Sequence, residues 1–330
     1  MPTEQPSPFI RAVAALPPKT KQPASAAILN NWIAQAETKL GPEARAGRLG
    51  WLVASSVAIA AVQRAVDSDA QPLFLLKGGT WLQHRLNVTA RTTKDVDGLV
   101  RGDIDTFLQA LEPVLAMPWG PLTLRRGPVE IIDVPTRVLK PRRFDIILQL
   151  RGVTWRRVQF EISPDEAGIS HAVEAVEPTP LNAFGLPDPA QLAGIALRYQ
   201  IAQKIHAASD PHDPPSSIND RARDIPDLLL LRDLARDSGG PTLNEIRAAS
   251  VAVFAARASE AVQLGRTPRP WPPVVNAYPH WTTDYQRAAE AVDLRLHLPE
   301  AVHQANTWIA EIDAGRVRPR LAKRTNWTDR

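Results

Sequence analysis

Two aspartates separated by one residue at the start of a predicted strand, Asp95 and Asp97, are side chains that could bind a metal ion. Asp95 and Asp97 stand at the start of residues 96–100, whose apolar alternation predicts a β-strand. Residues two apart on a strand point to the same face, so one cation can contact both carboxylates. The pair predicts a Mg²⁺ site, although such a pair taken alone is also typical of a solvated strand edge.

Metal-assisted phosphoryl transfer needs acids from more than one strand, which requires a third carboxylate. Glu161 lies near the end of the predicted strand 154–162, and Asp145 lies in the preceding predicted strand 143–150. The short link Arg151-Gly152-Val153 between the two strands is typical of a hairpin. We take Glu161 as the third metal ligand and Asp145 as the alternative, while either acid could instead pair with Arg142 or Arg156.

A glycine pair adds a second element of the same chemistry. Residues 72–76 form an apolar run that leads into Gly78-Gly79-Thr80, after which the spacing is helical. Backbone amides at such a strand-to-helix turn can approach phosphate oxygens closely. The alternative is that the glycines serve the turn alone.

A lysine and a helix entrance in the second half of the chain complete the set of candidates. Lys204 rises from an apolar helical stripe, where it either binds an anion or extends to solvent as an ordinary lysine. Further along, Arg221 and Asp224 precede Pro226 in a stretch that predicts the start of a helix. Asp224 is then either a site residue or merely a helix cap.

The elements that must position these residues mix strands and helices. Strands dominate residues 129–162, and the pattern turns helical from residue 189 onward. Helices are predicted over residues 25–65 (two, broken near Gly41), 104–115, 192–208, 224–235 and 243–258, and again near residues 283 and 299. The prolines scattered before residue 24 predict a mobile or surface-hugging lead-in.

Composition limits the kinds of protein this chain can be. Its 330 residues are 44% hydrophobic, with no cysteine and a formal net charge of +4 in which arginine outweighs lysine. Without cysteine, a metal must be bound through oxygen or imidazole, which favours Mg²⁺. Arginine suits phosphate groups and so favours a nucleotide or nucleic-acid partner, although genome composition produces the same bias. No secretory start or membrane span is visible, so we expect a cytoplasmic protein with no membrane partner.

These segments together resemble the AbiEii group of nucleotidyltransferase toxins, which includes the mycobacterial MenT toxins and belongs to the DNA-polymerase-β-like superfamily. The resemblance extends over residues 74–230. It rests on five segments in this order: Leu76-Lys77-Gly78-Gly79-Thr80, Arg91-Thr92-Thr93-Lys94-Asp95-Val96-Asp97, residues 157–162, Ile201-Ala202-Gln203-Lys204-Ile205-His206-Ala207, and residues 219–228. Several motifs in one order are far more specific than any one of them.

The resemblance implies a role for each candidate residue. The residues that would bind the NTP are Lys77, Gly78, Gly79, Thr80, Thr93, Lys204 and Arg221. The catalytic residues would be Asp95, Asp97, Glu161, Lys204 and Asp224, with Asp95, Asp97 and Glu161 as ligands of two Mg²⁺ ions. Thr93 falls where relatives carry a serine or threonine, at a position open to modification when a partner silences the toxin.

The resemblance also implies the fold, the activity and the partners. We expect an α+β fold with a polymerase-β-like nucleotidyltransferase core, a mixed sheet with flanking helices, followed by a helical C-terminal region. Residues 1–24 would be the lead-in, 25–188 the core with its N-terminal helices, and 189–330 the helical domain that contributes Lys204, Arg221 and Asp224.

The expected protein is the toxin of a toxin-antitoxin system. It would transfer a nucleoside monophosphate from an NTP to the 3′ end of tRNA, and its partner would be a cognate AbiEi-type antitoxin. The alternatives are a nucleotidyltransferase that acts on a small molecule, and a catalytically silent RNA- or protein-binding module on the same scaffold.

Overall fold

A computed structural model describes residues 8–41, 44, 47–86, 93, 95–215 and 217–315 of the chain. Its strands are β1 (Phe74–Lys77), β2 (Asp95–Val100), β3 (Leu122–Arg126), β4 (Glu130–Ile131), β5 (Arg142–Leu150), β6 (Val153–Pro164), β7 (Val173–Val176) and β8 (Leu192–Ile195). They form one mixed sheet in the order β3-β5-β6-β2-β1-β8-β7, with the short β4 paired to β5. The predicted hairpin is confirmed as the antiparallel pair β5 and β6.

The helices of the described residues flank this sheet, which confirms the α+β class. They are α1 (Pro8–Ala14), α2 (Ala26–Leu40), α3 (Arg48–Val62), α4 (Gly78–Arg85), α5 (Ile104–Leu115), α6 (Leu197–Ala208), α7 (Asp224–Asp237), α8 (Leu243–Gln263), α9 (Thr282–Glu290) and α10 (Leu298–Ala314). None of the helices described is both long enough and apolar enough to cross a membrane.

One face of the central strands is fully apolar and carries the main core. The rings of Phe74, Phe144 and Phe160 meet there, with ring centroids 5.5 Å apart for Phe74 and Phe160 and 5.7 Å apart for Phe144 and Phe160. All three belong to one large cluster with the apolar side chains of α2, α3 and α5. Alternation along each strand therefore sends every second residue into this core.

The opposite face of the same strands is divided between packing and chemistry. Leu75 of β1 and Leu99 of β2 pack against Ala202 of α6 and Val253 of α8 in a smaller apolar cluster. The C-terminal helices thus cover part of this face. Lys77 comes two residues after Leu75 and shares its face, so the polar part of the face adjoins the helices.

The prediction of a helix over residues 192–208 is wrong at its start. Leu192–Ile195 is strand β8, which is parallel to β1 and antiparallel to β7, and α6 begins only at Leu197. The side chain of Gln63 fixes this strand, because its amide nitrogen donates to the carbonyl of Ala193 and its oxygen accepts from the Ala193 amide. A short apolar run fits a helix or a strand equally well in sequence, and these tertiary pairings decide it.

The lead-in predicted before residue 24 contains an ordered helix, α1. Phe9, Ile10 and Val13 of that helix are buried, and Phe9 and Val13 join the main core cluster. This part of the lead-in therefore packs on the body, because three apolar side chains fall on one helical face. Residues 1–7 and 316–330 lie outside the described residues, and the division at residue 188 stays a prediction.

We predict that Gly98→Ala destabilises the fold through its core face. A methyl group at this position would overlap the ring of Phe74, which is fully buried. Overpacking of this kind costs about 1–3 kcal/mol of unfolding free energy. Denaturant unfolding measures it, with Gly127→Ala as control, since that methyl group would meet its nearest atom at 3.5 Å. Equal stability of the two variants would contradict the predicted overlap.

Candidate active site

Three charged side chains lie next to one another on the polar part of the second face. In the registers of the strands, Lys77 of β1 is opposite Asp97 of β2, and Asp97 is opposite Glu161 of β6. Residues directly opposite one another share a face of the sheet. Lys77, Asp97 and Glu161 therefore form a row across three adjacent strands, and we call it the charged row.

Burial is the largest cause of the pKa shifts of Asp97 and Lys77 in this row. It raises the pKa of Asp97 to about 6; nearby Asp95 and Glu161 raise the pKa further, while Lys77 and Lys204 oppose the shift. Burial also lowers the pKa of Lys77, against the attraction of Asp97. The Lys77 ammonium is 2.7 Å from the hydroxyl oxygen of Ser163, to which it donates a hydrogen bond. The row therefore contains a carboxylate whose negative charge its neighbours do not fully compensate.

Gly78 is required by its backbone and by its closeness to Asp97. Its φ is +66°, in the left-handed region, and a methyl group there would overlap the Asp97 carboxylate. Its amide donates to the side-chain oxygen of Gln200 on α6 at 3.1 Å, and α4 begins at this residue. Gly79 follows in the first turn of α4 and is buried. The glycine turn thus brings backbone up to the charged row.

Two threonines fix Asp95 and are themselves hidden. The Thr93 hydroxyl donates to the Asp95 carboxylate at 2.6 Å, and the Thr80 hydroxyl donates to the Asp95 carbonyl oxygen at 2.7 Å. Thr80 is fully buried and Thr93 is 5% exposed. Both side chains therefore hold the start of β2, and the structure does not bring Thr80 to the surface of the cleft described below. Lys94 and residues 87–92 lie outside the described residues.

The two candidates for the third acid differ in their neighbours. Glu161 is beside Asp97 and accepts two hydrogen bonds from Arg143, at 2.9 Å to Nε and 2.5 Å to Nη2. Asp145 is opposite Gln159, which lies two residues before Glu161 on β6. Its carboxylate is 3.7 Å from the guanidinium of Arg157. Glu161 lines the cleft and Asp145 does not. The register therefore favours Glu161.

In the part of the chain that the structure describes, no three acidic or histidine side chains are close enough together to hold a metal ion as they stand. The contact between Arg143 and Glu161 gives one physical reason, because that carboxylate already has a cationic partner. The donors available around Asp97 are carboxylate and hydroxyl oxygens, which suit a hard divalent cation. Both hydrogen bonds from Arg143 end on Oε1 of Glu161.

Lys204 lies behind the charged row in a buried ion cluster. Its ammonium is 2.6 Å from Asp224 and 2.7 Å from Asp227, and its side chain is 12% exposed. Extension to solvent, the alternative considered for Lys204, does not occur. Asp224 is the first residue of α7, and the residue that caps the helix is Arg223, so Asp224 is more than a cap. We call these three side chains the lysine triad.

Asp227 is a residue that the sequence reasoning missed. It lies one helical turn after Asp224 in the first turn of α7, with Pro226 between them. Residues three apart on a helix face the same side, so the spacing from Asp224 was a signal that could have found it. Its side chain is 2% exposed, so its charge depends on Lys204.

A cleft of about 840 Å³ opens over the charged row. Its walls come from the segment before β5, from α6, from the loop before α7, from α8 and from the loop after α8. The predicted site residues that line it are Lys77, Asp97, Glu161 and Arg221. Arg221 is exposed, and no described residue pairs with its guanidinium. The cleft therefore joins the charged row at its base to an exposed cation on its wall.

Further arginines on the cleft walls were not found from the sequence. Arg257 of α8 pairs with Glu166 at 2.6 Å, and Arg137 pairs with Glu260 of α8 at 3.1 Å. Gln203 of α6 also donates to Glu166, at 2.7 Å. These residues come from distant segments that carry no shared motif. Their network ties α6 and α8 to the end of β6 beside the cleft.

Acidic residues, a glycine turn and cationic walls around one cleft form a site for transferring a phosphate-bearing group, and the α+β fold presents it as a nucleotidyltransferase does. The family model described as "Nucleotidyl transferase AbiEii toxin, Type IV TA system" matches residues 60–308 of this chain. The chain therefore belongs to the AbiEii family of nucleotidyltransferase toxins, as the resemblance in its motifs implies.

Two further comparisons concern a solved structure and the curated protein sequences. MenT4, a nucleotidyltransferase toxin from Mycobacterium tuberculosis H37Rv, is a similar solved structure with a TM-score of 0.47 and 16% sequence identity, over 89% of this chain and 99% of that one. No curated protein sequence matches this chain significantly. The family implies an NTP substrate, a divalent metal and a cognate antitoxin.

We predict that Lys204→Met lowers the unfolding free energy by roughly 3–5 kcal/mol, because it leaves Asp224 and Asp227 buried without their cation. Asp227→Asn added to the same chain should restore part of the loss. Chemical denaturation gives both values.

Lys140→Met is the matched control for this prediction. Lys140 pairs with Asp133, which is 84% exposed, and such surface pairs contribute about 0–1 kcal/mol. If Lys204→Met were as stable as Lys140→Met, the lysine triad would not be the stabilising unit described.

Proposed function

We propose that this toxin uses Mg²⁺ to transfer a nucleoside monophosphate from an NTP to the 3′ end of tRNA. The observation that carries the proposal is the charged row of Lys77, Asp97 and Glu161 at the base of a cleft of about 840 Å³. Phosphoryl transfer needs positioning and charge neutralisation more than any covalent chemistry from the protein. A row of this kind beside a glycine turn supplies both.

Asp95, Asp97 and Glu161 are the residues we propose as ligands of two Mg²⁺ ions. Asp95 and Asp97 are two apart on β2, and Glu161 is opposite Asp97, so all three share one face. The raised pKa of Asp97, about 6, indicates a carboxylate that a cation would stabilise. Magnesium, when bound, would neutralise charge on the phosphate oxygens during transfer.

The remaining residues would hold the NTP. The amides at Gly78 and Gly79 lie at the start of α4, where the helix end favours an anion. Lys77 and Lys204 supply positive charge that already acts on Asp97 from two sides. Arg221 is exposed on the cleft wall, where its guanidinium would bind phosphate of the nucleotide or of the acceptor. Asp224 would keep Lys204 in place.

The RNA acceptor is supported by the cationic walls of the cleft. Arg137, Arg257, Arg266 and Arg269 line it together with Arg221. Arg137 and Arg257 pair with Glu166, and Arg269 pairs with Asp210, so Arg221 and Arg266 are the cations that would meet a polyanionic acceptor. We propose the cytoplasm as the site of action, because NTPs and tRNA are present there. We propose an AbiEi-type protein as the antitoxin. We also propose Thr93 as a position that is modified when a partner silences the toxin.

Transfer from labelled NTP tests the proposed function directly. The protein is incubated with each α-³²P-labelled ribonucleoside triphosphate, Mg²⁺ and total tRNA, and the products are separated on a denaturing gel. We expect label on tRNA, lost when Mg²⁺ is chelated. Periodate-oxidised tRNA, which has no free 3′ diol, should stay unlabelled.

Asp95→Asn with Asp97→Asn in one chain is the negative control for this assay. Label on oxidised tRNA would show that the acceptor is not the 3′ end. Label on a small product, or none at all with the unaltered protein, would overturn the tRNA acceptor.

We predict that Glu161→Gln and Asp145→Asn differ sharply in activity. Glu161 is directly opposite Asp97, whereas Asp145 is opposite Gln159, which lies two residues before Glu161 on β6. Glu161→Gln should lower turnover at limiting Mg²⁺ by at least about tenfold, roughly 1.4 kcal/mol, while Asp145→Asn should have a small effect. Titration of transfer against Mg²⁺ measures both. The reverse order of effects would identify Asp145 as the ligand, and thermal denaturation checks that both variants are folded.

A further inference from the structure

A cluster of aromatic rings lies beside the cleft and has no part in the site described above. The ring centroids of His212 and His280 are 4.4 Å apart, with an angle of 22° between the planes, and that of Tyr278 is 4.7 Å from His212. Trp281 meets Tyr278 edge to face at 5.1 Å. We call His212, Tyr278 and His280 the ring platform.

The ring platform is held rigidly against the loop that precedes α7. Nε2 of His280 donates to the carbonyl oxygen of Asn219 at 2.9 Å, and Nε1 of Trp281 donates to the same oxygen at 2.5 Å. Asn219 is 2% exposed, and its amide nitrogen donates to the carbonyls of Ala208 and Asp210. The rings therefore have fixed positions, which reduces the entropy lost when a flat ligand stacks on them.

The same loop forms one wall of the cleft. Pro211 and Asp213, on either side of His212, both line the cleft, and so does Arg221, two residues after Asn219. The side chain of His280 is 35% exposed and Ile218 is 57% exposed. The platform is thus a partly exposed aromatic surface that adjoins the cleft wall carrying Arg221, whose charge also acts on Asp210.

Partly exposed aromatic rings beside an exposed arginine suit one kind of ligand. Unpaired bases of single-stranded RNA stack on histidine and tyrosine rings, while arginine binds the adjoining phosphate. Bases inside a duplex do not present their faces. An acceptor whose 3′ end enters the cleft would bring single-stranded nucleotides past its wall.

We propose that the ring platform stacks an unpaired nucleobase of a single-stranded RNA acceptor, with Arg221 binding a neighbouring phosphate. The inference rests on the proposed function and names the surface that recognises its acceptor. His280 is the exposed member of the platform and would contact the base, and its Nε2 also lies 3.6 Å from the Asp220 carboxylate. The stacked base belongs to the acceptor, because the NTP is bound at the charged row.

Two substitutions at one position separate stacking from a purely structural role. His280→Phe keeps a ring but loses the hydrogen bond to Asn219, whereas His280→Gln keeps a hydrogen-bonding side chain but loses the ring. If the ring only clamps the loop, Gln should preserve function better than Phe. If it stacks a base, Phe should preserve function better than Gln.

Fluorescence anisotropy with a short, unstructured, labelled oligoribonucleotide measures the binding, without NTP. We expect His280→Gln to weaken binding about tenfold, within the roughly 1–3 kcal/mol of a stacked base, and His280→Phe to bind nearly as the unaltered protein does. His303→Ala, an exposed histidine on α10, is the matched control and should change nothing. An abasic strand of equal length should bind weakly to all variants, through its phosphates alone.

Three results would overturn the proposal. They are equal affinity of the unaltered protein for the base-containing and abasic strands, a better retention of binding by Gln than by Phe, and a matching loss of affinity for a fluorescent NTP. The first needs no variant, so it decides the matter even if a substituted chain does not fold. Transfer to tRNA that persists with unchanged KM for RNA in His280→Gln would reject the platform alone, whereas absence of any transfer would reject the proposed function.

Discussion

The closeness of Gly78 to Asp97 is the constraint around which the site is built. Antiparallel pairing of β1 with β2 puts Lys77 and Asp97 opposite each other, and parallel pairing of β2 with β6 adds Glu161. Such a row brings two acids close together, and its repulsion is tolerated because Lys77 lies in the same row and Lys204 behind it. Any side chain at Gly78 would occupy the space into which the Asp97 carboxylate extends.

The C-terminal helices complete the site from behind. The lysine triad joins α6 to α7, and α6 also reaches the glycine turn through Gln200. The network of Arg137, Arg257 and Glu166 ties α8 to the strand that carries Glu161. Removing one partner of a buried ion pair leaves the other charge uncompensated, which destabilises the fold. The positions of α6, α7 and α8 therefore depend on these ion pairs.

Two acids of the site already have partners within the protein. Arg143 neutralises Glu161, and Thr93 donates to Asp95, so the acids have partners without a metal ion. Burial raises the pKa of Asp97 to about 6. A divalent cation bound at Glu161 would share that carboxylate with Arg143, whose hydrogen bonds both end on Oε1.

Local sequence patterns predicted several strands, turns and site residues of this protein. The alternation around Asp95 and Asp97, the glycine pair and the hairpin carrying Glu161 were readable from the sequence, because strand periodicity and turn chemistry are local properties. The α+β class and the family followed from the same segments in order. What the sequence did not contain was register: nothing in it says that Asp97 faces Lys77, that Asp227 joins Lys204, or that Leu192–Ile195 is a strand. Those outcomes depend on contacts between residues far apart in the chain, and only the folded structure decides them because pairing energy is gained across the sheet.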